Sequence, residues 1–310
     1  MRQTLTGAGL TVSSQNLNHF EWSDIDQFGQ LLIRLGQHGH REWPDSSDAL
    51  EAELRYPRVQ PETNIVVLRS NAGQINGYGI VEPEPNIGRS VLGIGSVSDE
   101  LQEYRALIDE LIPIAQSLAP AVHIATRTTE LALIGLLKNL GWVHVRTYLK
   151  LHADAPQAVE VPNHPEVTSD VLKESEIGAL TELQNASFGT HFGYSPNTPQ
   201  EIQSRLELPG TDLNDVRVLR NSSDALLGYC WIVDGADGGA GRIGMTGVSP
   251  AHQGKGLGRL TAQIGFNELV RRGAATIELD VDSANTAARK IYAAMGFLPQ
   301  SEINWWERRF

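Results

Sequence analysis

The chain has 310 residues, of which 41% are hydrophobic and 20% charged, and its formal net charge is −12 at pH 7. This length predicts about two globular domains with packed cores. The acidic surface disfavours general nucleic-acid binding and favours small cationic acceptors. The single cysteine, the absence of a signal-peptide pattern and the absence of a long apolar run lead us to expect a cytoplasmic protein that does not bind membranes.

The first half of the chain contains an amphipathic helix, an apolar strand and a short helix closed by glycine. These elements are predicted at Leu101–Leu118, Ala121–Thr126 and Thr129–Leu140, with Gly141 after the last helix. The same plan recurs about 155 residues later at Gly256–Arg272, Ala275–Val281 and Asn285–Met295, with Gly296 after the last helix. We therefore predict a tandem duplication of two α/β domains.

The join between the domains is predicted within Leu151–Glu166, where Pro156, Pro162 and Pro165 interrupt regular structure. The predicted domains are residues 1–155 and 156–310. After the join, the predicted elements are a strand at Val167–Ser169, helices at Ser175–Ser187 and Thr198–Leu206, a hairpin at Val216–Leu219 and Leu226–Val233, a glycine-rich loop at Asp234–Gly241, a strand at Arg242–Val248, and a terminal strand near Ile303–Phe310. An antiparallel hairpin among alternating strands and helices predicts a mixed sheet.

A glycine-rich turn separates the strand that ends at Val248 from the next helix. It reads Ser249-Pro250-Ala251-His252-Gln253-Gly254-Lys255-Gly256-Leu257-Gly258-Arg259. Glycines let a ligand approach the main chain, and the free N–H groups of a helix N-terminus bind phosphates. The Walker pattern fails because no Gly-Lys-Ser/Thr follows, and the dinucleotide pattern fails because Arg259 stands where its third glycine belongs.

Two segments resemble signatures of the GNAT superfamily of N-acetyltransferases. Gln253-x-x-Gly256-x-Gly258 is similar to its pyrophosphate loop, and Asn285-x-x-Ala288-x-x-x-Tyr292-x-x-x-Gly296-Phe297 is similar to its second signature. The resemblance covers about 140 residues. Two tandem GNAT-like domains with the intact site in the second resemble the mycothiol synthase group of this superfamily.

The resemblance implies acetyl-CoA as cosubstrate and no metal. It implies that the backbone of Thr246, Gly247 and Val248 pairs with the pantetheine arm, and that Asn285 and Ala288 contact the pantetheine region. The residues implied to hold the pyrophosphate are Gln253, Gly254, Lys255, Gly256, Leu257, Gly258 and Arg259.

Tyr292 is the implied general acid for the leaving thiolate, and the alternative is an aromatic residue that only packs in the core. Asp280 is the candidate general base, and the alternative is a carboxylate that supports a strand end or helix cap. The mycothiol synthase group carries a glutamate base early in the fourth strand, where this chain has Arg242.

The segment that joins the first two helices of the second domain usually lines the acceptor cleft in GNAT proteins. His191, Phe192 and Tyr194 are therefore predicted to contact substrate, and the alternative is a loop packed by its own aromatic side chains.

The first domain is predicted to be degenerate and structural, without coenzyme A. Its Ser96–Glu103 segment lacks the glycines, while Leu137 and Glu130 stand where the second domain has Tyr292 and Asn285. Such an internal pseudo-dimer favours a monomer.

The predicted function is transfer of an acetyl group to a primary amine of a small molecule or a peptide N-terminus, by direct attack on the thioester. The alternative is a non-catalytic acyl-CoA-binding sensor or regulatory protein. The sequence leaves the acceptor and the acyl-chain length open.

Overall fold

The computed structural model describes residues 16–36, 43, 46–55, 60–98, 100–208, 210–234 and 239–310. The chain divides into a first unit, Met1–Val143 with Trp306–Phe310, and a second unit, His144–Trp305. Residues 235–238 of the predicted glycine-rich loop, and Asp99 in the first unit, lie outside the described residues. None of the described helices combines the length and the apolar character needed to cross a bilayer.

The first unit is built on a mixed sheet in which β4 and β5 are parallel, whereas β1 with β2, β2 with β3 and β3 with β4 are antiparallel. Its elements within the described residues are β1 (Leu17–His19), α1 (Ile25–Leu35), α2 (Ser47–Leu54), α3 (Pro61–Asn64), β2 (Ile65–Arg69), β3 (Ile75–Glu84), β4 (Arg89–Ser96), α4 (Leu101–Leu118), β5 (Ala121–Arg127) and α5 (Leu131–Asn139). The strand order is β1-β2-β3-β4-β5. Leu107, Ile108 and Leu111 recur at helical spacing and bury one face of α4 against this sheet.

The second unit also has a mixed sheet, as predicted. Its elements within the described residues are β6 (Val143–Asp154), β7 (Val167–Val171), α6 (Ile177–Phe188), α7 (Pro199–Leu206), β8 (Val216–Asn221), β9 (Leu226–Val233), β10 (Ala240–Val248), α8 (Leu257–Arg271), β11 (Thr276–Asp282), α9 (Thr286–Ala294) and β12 (Leu298–Arg309). The strand order is β12-β6-β11-β10-β9-β8-β7. Strands β10 and β11 are parallel, whereas β10 and β9 are antiparallel.

Helices cover both faces of the second sheet because its strands alternate apolar side chains. Cys230 and Ile232 of β9 point into the core under α8 and α9, while Tyr229 and Trp231 point into the core under α6 and α7. Cys230 is fully buried, and its burial raises the pKa of the thiol to about 12. The thiol is therefore a packed, protonated group.

The helix boundaries agree closely with the sequence pattern. The Thr198 hydroxyl accepts a hydrogen bond from the Glu201 N–H and starts α7, while Gly141 and Gly296 both adopt positive φ after their helices. The terminal strand differs from the prediction, because β12 begins at Leu298 rather than near Ile303. The position of Phe297 in the core just before it brings the chain back to the sheet early.

The join between the units differs from the predicted one in position. β6 pairs antiparallel with β11 from Asp154 opposite Thr276 to Tyr148 opposite Asp282. Leu151 is therefore a buried strand residue and not the start of a linker. The unit boundary falls at His144 and not between residues 155 and 156, because β6 completes the sheet of the second unit.

An ion-pair cluster ties α8 to the strand β8. The Glu268 carboxylate is 8% exposed and accepts hydrogen bonds from Arg271 and Arg272, and it lies 2.7 Å from Arg217 of β8. The hydrogen bond from Arg271, with those from Arg272 and Arg217, lowers the pKa of Glu268 to about 2 despite its burial. Arg272 also reaches Asp215, 2.6 Å away, so the end of α8 is held from two sides.

Replacing this carboxylate tests the cluster through the pH dependence of stability. Because its folded-state pKa lies below the unfolded value near 4.5, the carboxylate stabilises the fold fully above that pH and loses the effect as pH falls toward 2. We expect Glu268→Gln to lower the free energy of unfolding by roughly 2 kcal/mol at pH 7 and by less at pH 3. Urea denaturation at both pH values measures this difference. Glu182→Gln, on the exposed face of α6, is the control; an equal loss in the two variants would contradict the assignment.

Candidate active site

The parallel strands β10 and β11 separate part-way along their length. They pair only from Ala240 opposite Thr276 to Arg242 opposite Glu278 within the described residues, whereas β10 stays paired with β9 as far as Val248. A register shift between Ile243 and Met245 bends β10 at this point. The fork leaves the edge of β10 from residue 243 to residue 248 facing a gap, where an extended ligand can form main-chain hydrogen bonds.

The turn that follows β10 at Val248 lies at the open end of the fork. Gly254 and Gly256 have φ of +77° and +84°, a conformation that other residues adopt only with strain. Within the described residues, the N–H groups of residues 254–258 have no backbone acceptor. Lys255 and Arg259 are exposed beside them. Free N–H groups, a helix N-terminus and two cations together make an anion site that fits a pyrophosphate.

The side chain of Gln253 has a local role. Its Nε2 donates to the carbonyl oxygen of Val248 at 3.2 Å, so the amide ties the turn to the end of β10. If Gln253 contacts a pyrophosphate as predicted, it does so through its backbone or after its side chain has left the Val248 carbonyl oxygen.

Helix α9 lies beside the first turn of α8. A Cβ atom added at Gly258 would come within 3.9 Å of Ile291. The Asn285 side chain accepts a hydrogen bond from the Ala288 N–H at 3.0 Å and so caps α9. This cap occupies the Asn285 oxygen and leaves its NH₂ group as the donor for a ligand.

Tyr292 is the residue of α9 that reaches furthest into the core. It is 6% exposed, stacks edge-on against Phe297 and shares a cluster with Cys230, which lies opposite Thr246 of β10. Its burial raises the pKa of the phenol above the usual value near 10. Within the described residues the hydroxyl forms no hydrogen bond. A protonated phenol with an unused donor is thus placed on the side of the fork that faces α9.

Within the described residues, three ion pairs lie on the opposite face of the fork. Leu149, Leu151 and Leu279 point into the core, so the residues between them lie on the other face. The pairs there are Arg242 with Asp280 at 2.5 Å, Lys150 with Glu278 at 2.7 Å, and Arg146 with Asp282 at 3.0 Å. We call these six side chains the charged floor.

The predicted general base belongs to this floor. Arg242 donates to the Asp280 carboxylate at 2.5 Å, and both side chains are 31% exposed. Asp280 is therefore accessible to a ligand, but the Arg242 guanidinium neutralises its charge.

The loop between α6 and α7 is fixed over one end of the floor. Tyr148 donates to the Phe192 carbonyl at 3.2 Å, and Arg146 stacks over the Phe192 ring. Tyr194 donates to Asn185 at 2.6 Å, and the His191 ring packs edge-on against Phe188. Phe192 is thus the loop residue that meets the floor, while Tyr194 and His191 also hold the loop together.

The same face of β10 is closely covered by α6. A Cβ atom at Gly247 would lie 2.8 Å from the Tyr229 ring and 2.9 Å from Ser187, so only glycine allows this approach. Four residues of the site were not predicted from the sequence: Tyr229, Ser187, Tyr148 and Lys150. For the last two, the alternation of polar and apolar residues in β6 is a signal, but it falls partly in the segment assigned to the join.

Comparison with known proteins agrees with this geometry. Residues 179–297 match the model of the "Acetyltransferase (GNAT) family". The chain therefore carries a GNAT acetyltransferase domain. A mycothiol acetyltransferase from Rhodococcus erythropolis is 32% identical over 175 residues, which are 54% of this chain and 58% of the relative. One from Jonesia denitrificans is 24% identical over 264 residues, 83% of each chain.

Solved structures of GNAT proteins share the fold over nearly the whole chain. A GCN5-related N-acetyltransferase from Sphaerobacter thermophilus superposes with a TM-score of 0.71 at 18% identity, covering 94% of this chain and 95% of its own. A tandem GNAT protein from the clavulanic acid biosynthesis pathway has a TM-score of 0.71 at 15% identity, covering 94% and 98%. The expected α/β fold with tandem GNAT-like parts is confirmed.

The first unit has the fork but not the turn of the GNAT site. β4 and β5 pair only as far as Leu92 opposite Ile124 within the described residues. Four residues join β4 to α4, whereas eight join β10 to α8. The Glu103 carboxylate accepts hydrogen bonds from Ser96 and, at 2.6 Å, from Ser98. A carboxylate therefore occupies the mouth of the fork that an anion would need.

The turn can be tested by adding a charge at a left-handed glycine. We expect Gly256→Glu to weaken acetyl-CoA binding at least about 100-fold, because the new carboxylate repels the pyrophosphate and the residue strains the turn. Titration calorimetry measures the affinity.

Gly273→Glu is the matched control, since Gly273 has φ of +86° and an equally open environment at the other end of α8. Unchanged affinity in Gly256→Glu, or an equal loss in Gly273→Glu, would remove the turn from the site.

Proposed function

We propose that this protein transfers the acetyl group of acetyl-CoA to a primary amine of a small molecule or a peptide N-terminus. The observation that carries the proposal is the set of N–H groups of residues 254–258, which have no backbone acceptor within the described residues, at the open end of a fork beside which Tyr292 is buried. GNAT proteins are acetyltransferases, and the cosubstrate of the family supplies the activated acetyl group. The curated relatives are named for mycothiol, but the match spans about 58% of the first relative's length, so we leave the acceptor broader.

Different residues of the fork bind different parts of acetyl-CoA. The turn residues Gly254–Arg259 hold the pyrophosphate, and the edge of β10 at Thr246, Gly247 and Val248 pairs with the pantetheine arm. The Asn285 NH₂ group and the first turn of α9 at Ala288 border that arm. A main-chain N–H on the unpaired edge of β10 donates to the thioester oxygen as charge develops on it.

Tyr292 assists the departure of the thiolate. Burial keeps the phenol protonated at neutral pH, so it donates a hydrogen bond to the sulfur as the carbon–sulfur bond breaks. Because the phenol is a weaker acid than a thiol, its main contribution is this hydrogen bond rather than complete proton transfer.

The amine approaches from the charged floor. Asp280 accepts a hydrogen bond from the amine and takes its proton, directly or through water, as the nitrogen attacks the thioester carbonyl. Phe192, with His191 and Tyr194 behind it, closes the acceptor side of the fork.

Removing the phenol hydroxyl tests the enzymatic role. We expect Tyr292→Phe to bind acetyl-CoA with unchanged affinity and to acetylate about 100-fold more slowly, since a positioned acid contributes at least that much. Steady-state rates and calorimetry measure the two effects. Tyr78→Phe removes a hydroxyl that accepts from Trp43 in the first unit and serves as the control. A variant as fast as wild type would exclude the role of Tyr292, and a wild-type protein without transfer to any amine would favour the sensor.

The first unit is proposed to be structural and to bind no coenzyme A. Its short turn and the Glu103 carboxylate lead us to expect one acetyl-CoA per chain. Calorimetry on wild type should give a stoichiometry near one, and Gly256→Glu should abolish the heat of binding completely. A second site, or binding that survives in the variant, would show that the first unit takes the cofactor.

A further inference from the structure

Among the described residues, the charged floor pairs each of its three cations with a carboxylate, which constrains the acceptor. Its three cations face its three carboxylates across β6, β11 and β10. A surface with a net negative charge would attract any ammonium ion, but a balanced one attracts ligands that carry both charges.

The pair Arg242–Asp280 stands at the fork itself. Arg242 belongs to the last rung at which β10 and β11 pair, and Asp280 lies two residues beyond that rung on β11. The pair therefore bridges the strands at the point where they begin to part. The amine must reach this point to attack a thioester held along the edge of β10.

This pair is also more exposed than the neighbouring pair of the floor. Arg242 and Asp280 are each 31% exposed, whereas Lys150 and Glu278 are 17% and 18% exposed. A ligand at the fork thus meets a guanidinium and a carboxylate together.

Competition between charges then distinguishes acceptors. A simple ammonium approaching Asp280 is attracted by the carboxylate and repelled by Arg242 at the same time. A zwitterion places its ammonium against Asp280 and its anionic group against Arg242, so that each charge has an opposite neighbour. Hydrogen bonds between charged partners contribute about 1.5–3 kcal/mol each, which corresponds to roughly 10- to 100-fold in binding.

We infer that the acceptor is a small zwitterion, an amino-acyl compound with a carboxylate near its amine, and that Arg242 determines this specificity. The inference rests on the proposed function and adds the acceptor class to it. Asp280 receives the ammonium and Arg242 receives the carboxylate, while Phe192 covers the far end of the floor.

Glycylglycine and glycylglycinamide test the inference, because both present an α-amine with a pKa near 8 and only the first has a carboxylate. We expect kcat/KM for glycylglycine to exceed that for the amide at least tenfold, with the difference mainly in KM. Arg242→Gln should bring the ratio close to one, and Arg242→Lys should restore part of it. Lys173→Gln, which removes an exposed cation paired with Asp224 at 3.6 Å, should leave the ratio unchanged.

Equal rates for the two dipeptides in wild type, no transfer to either, or a preference that survives in Arg242→Gln would overturn the inference. A different result would contradict the proposed function itself. In that case acetyl-CoA binds, but the protein acetylates none of a broad panel of amines that includes polyamines and amines without a carboxylate. Calorimetry with acetyl-CoA on Arg242→Gln should match wild type, which shows that the variant is folded and its cofactor turn intact.

Discussion

The candidate chemistry depends on the separation of two parallel strands. As long as β10 and β11 pair, each satisfies the main-chain groups of the other. Beyond Arg242 those groups of β10 need another partner, and an extended ligand arm is the partner that a narrow gap admits. Continued pairing to Val248 would fill the gap with protein hydrogen bonds. The proposed roles of the turn, α9 and the charged floor all depend on this gap, because each borders it from a different side.

Much of the site could be predicted from the sequence where its chemistry is local. Gly254 and Gly256 adopt φ values that other residues avoid, so the turn requires glycine at these two positions and can be recognised in the sequence. Asn285 caps the helix that begins one residue later, and such caps also act over short sequence distances. The bounds of α4 and α8 followed from helical periodicity for the same reason.

The charged floor could not be predicted, because it depends on strand partners far apart in the chain. Arg242 and Asp280 are 38 residues apart and meet only through the register of β10 and β11. Lys150 reaches Glu278 because β6 pairs with β11, and no local pattern specifies that partner. The proline-rich segment after β6 predicted a join, but it lies within the second unit, because β6 extends to Asp154 and belongs to that unit's sheet.

The two units show that a fork alone does not make a cofactor site. Both contain parallel strands that part before they end. They differ in the turn, which is four residues shorter in the first unit and carries no left-handed glycines among its described residues. With that turn shortened, the N–H groups are too few to form an anion site, and Glu103 accepts the nearby hydroxyl donors instead. Leu137, which stands where the second unit has Tyr292, is fully buried in the apolar core of the first unit.

The neutralised carboxylate at the fork also bears on the kind of amine that can react. A lysine-type amine with a pKa near 10.4 is almost entirely protonated at neutral pH, whereas an α-amine with a pKa near 8 is neutral about 100-fold more often. A base that shares its lone pairs with Arg242 has less capacity to deprotonate the first kind. The second kind needs little help, since a useful fraction arrives neutral. The ion pair therefore favours α-amines for two reasons. An α-amine can react with a weakened base, and Arg242 offers a cation to an anionic group next to that amine.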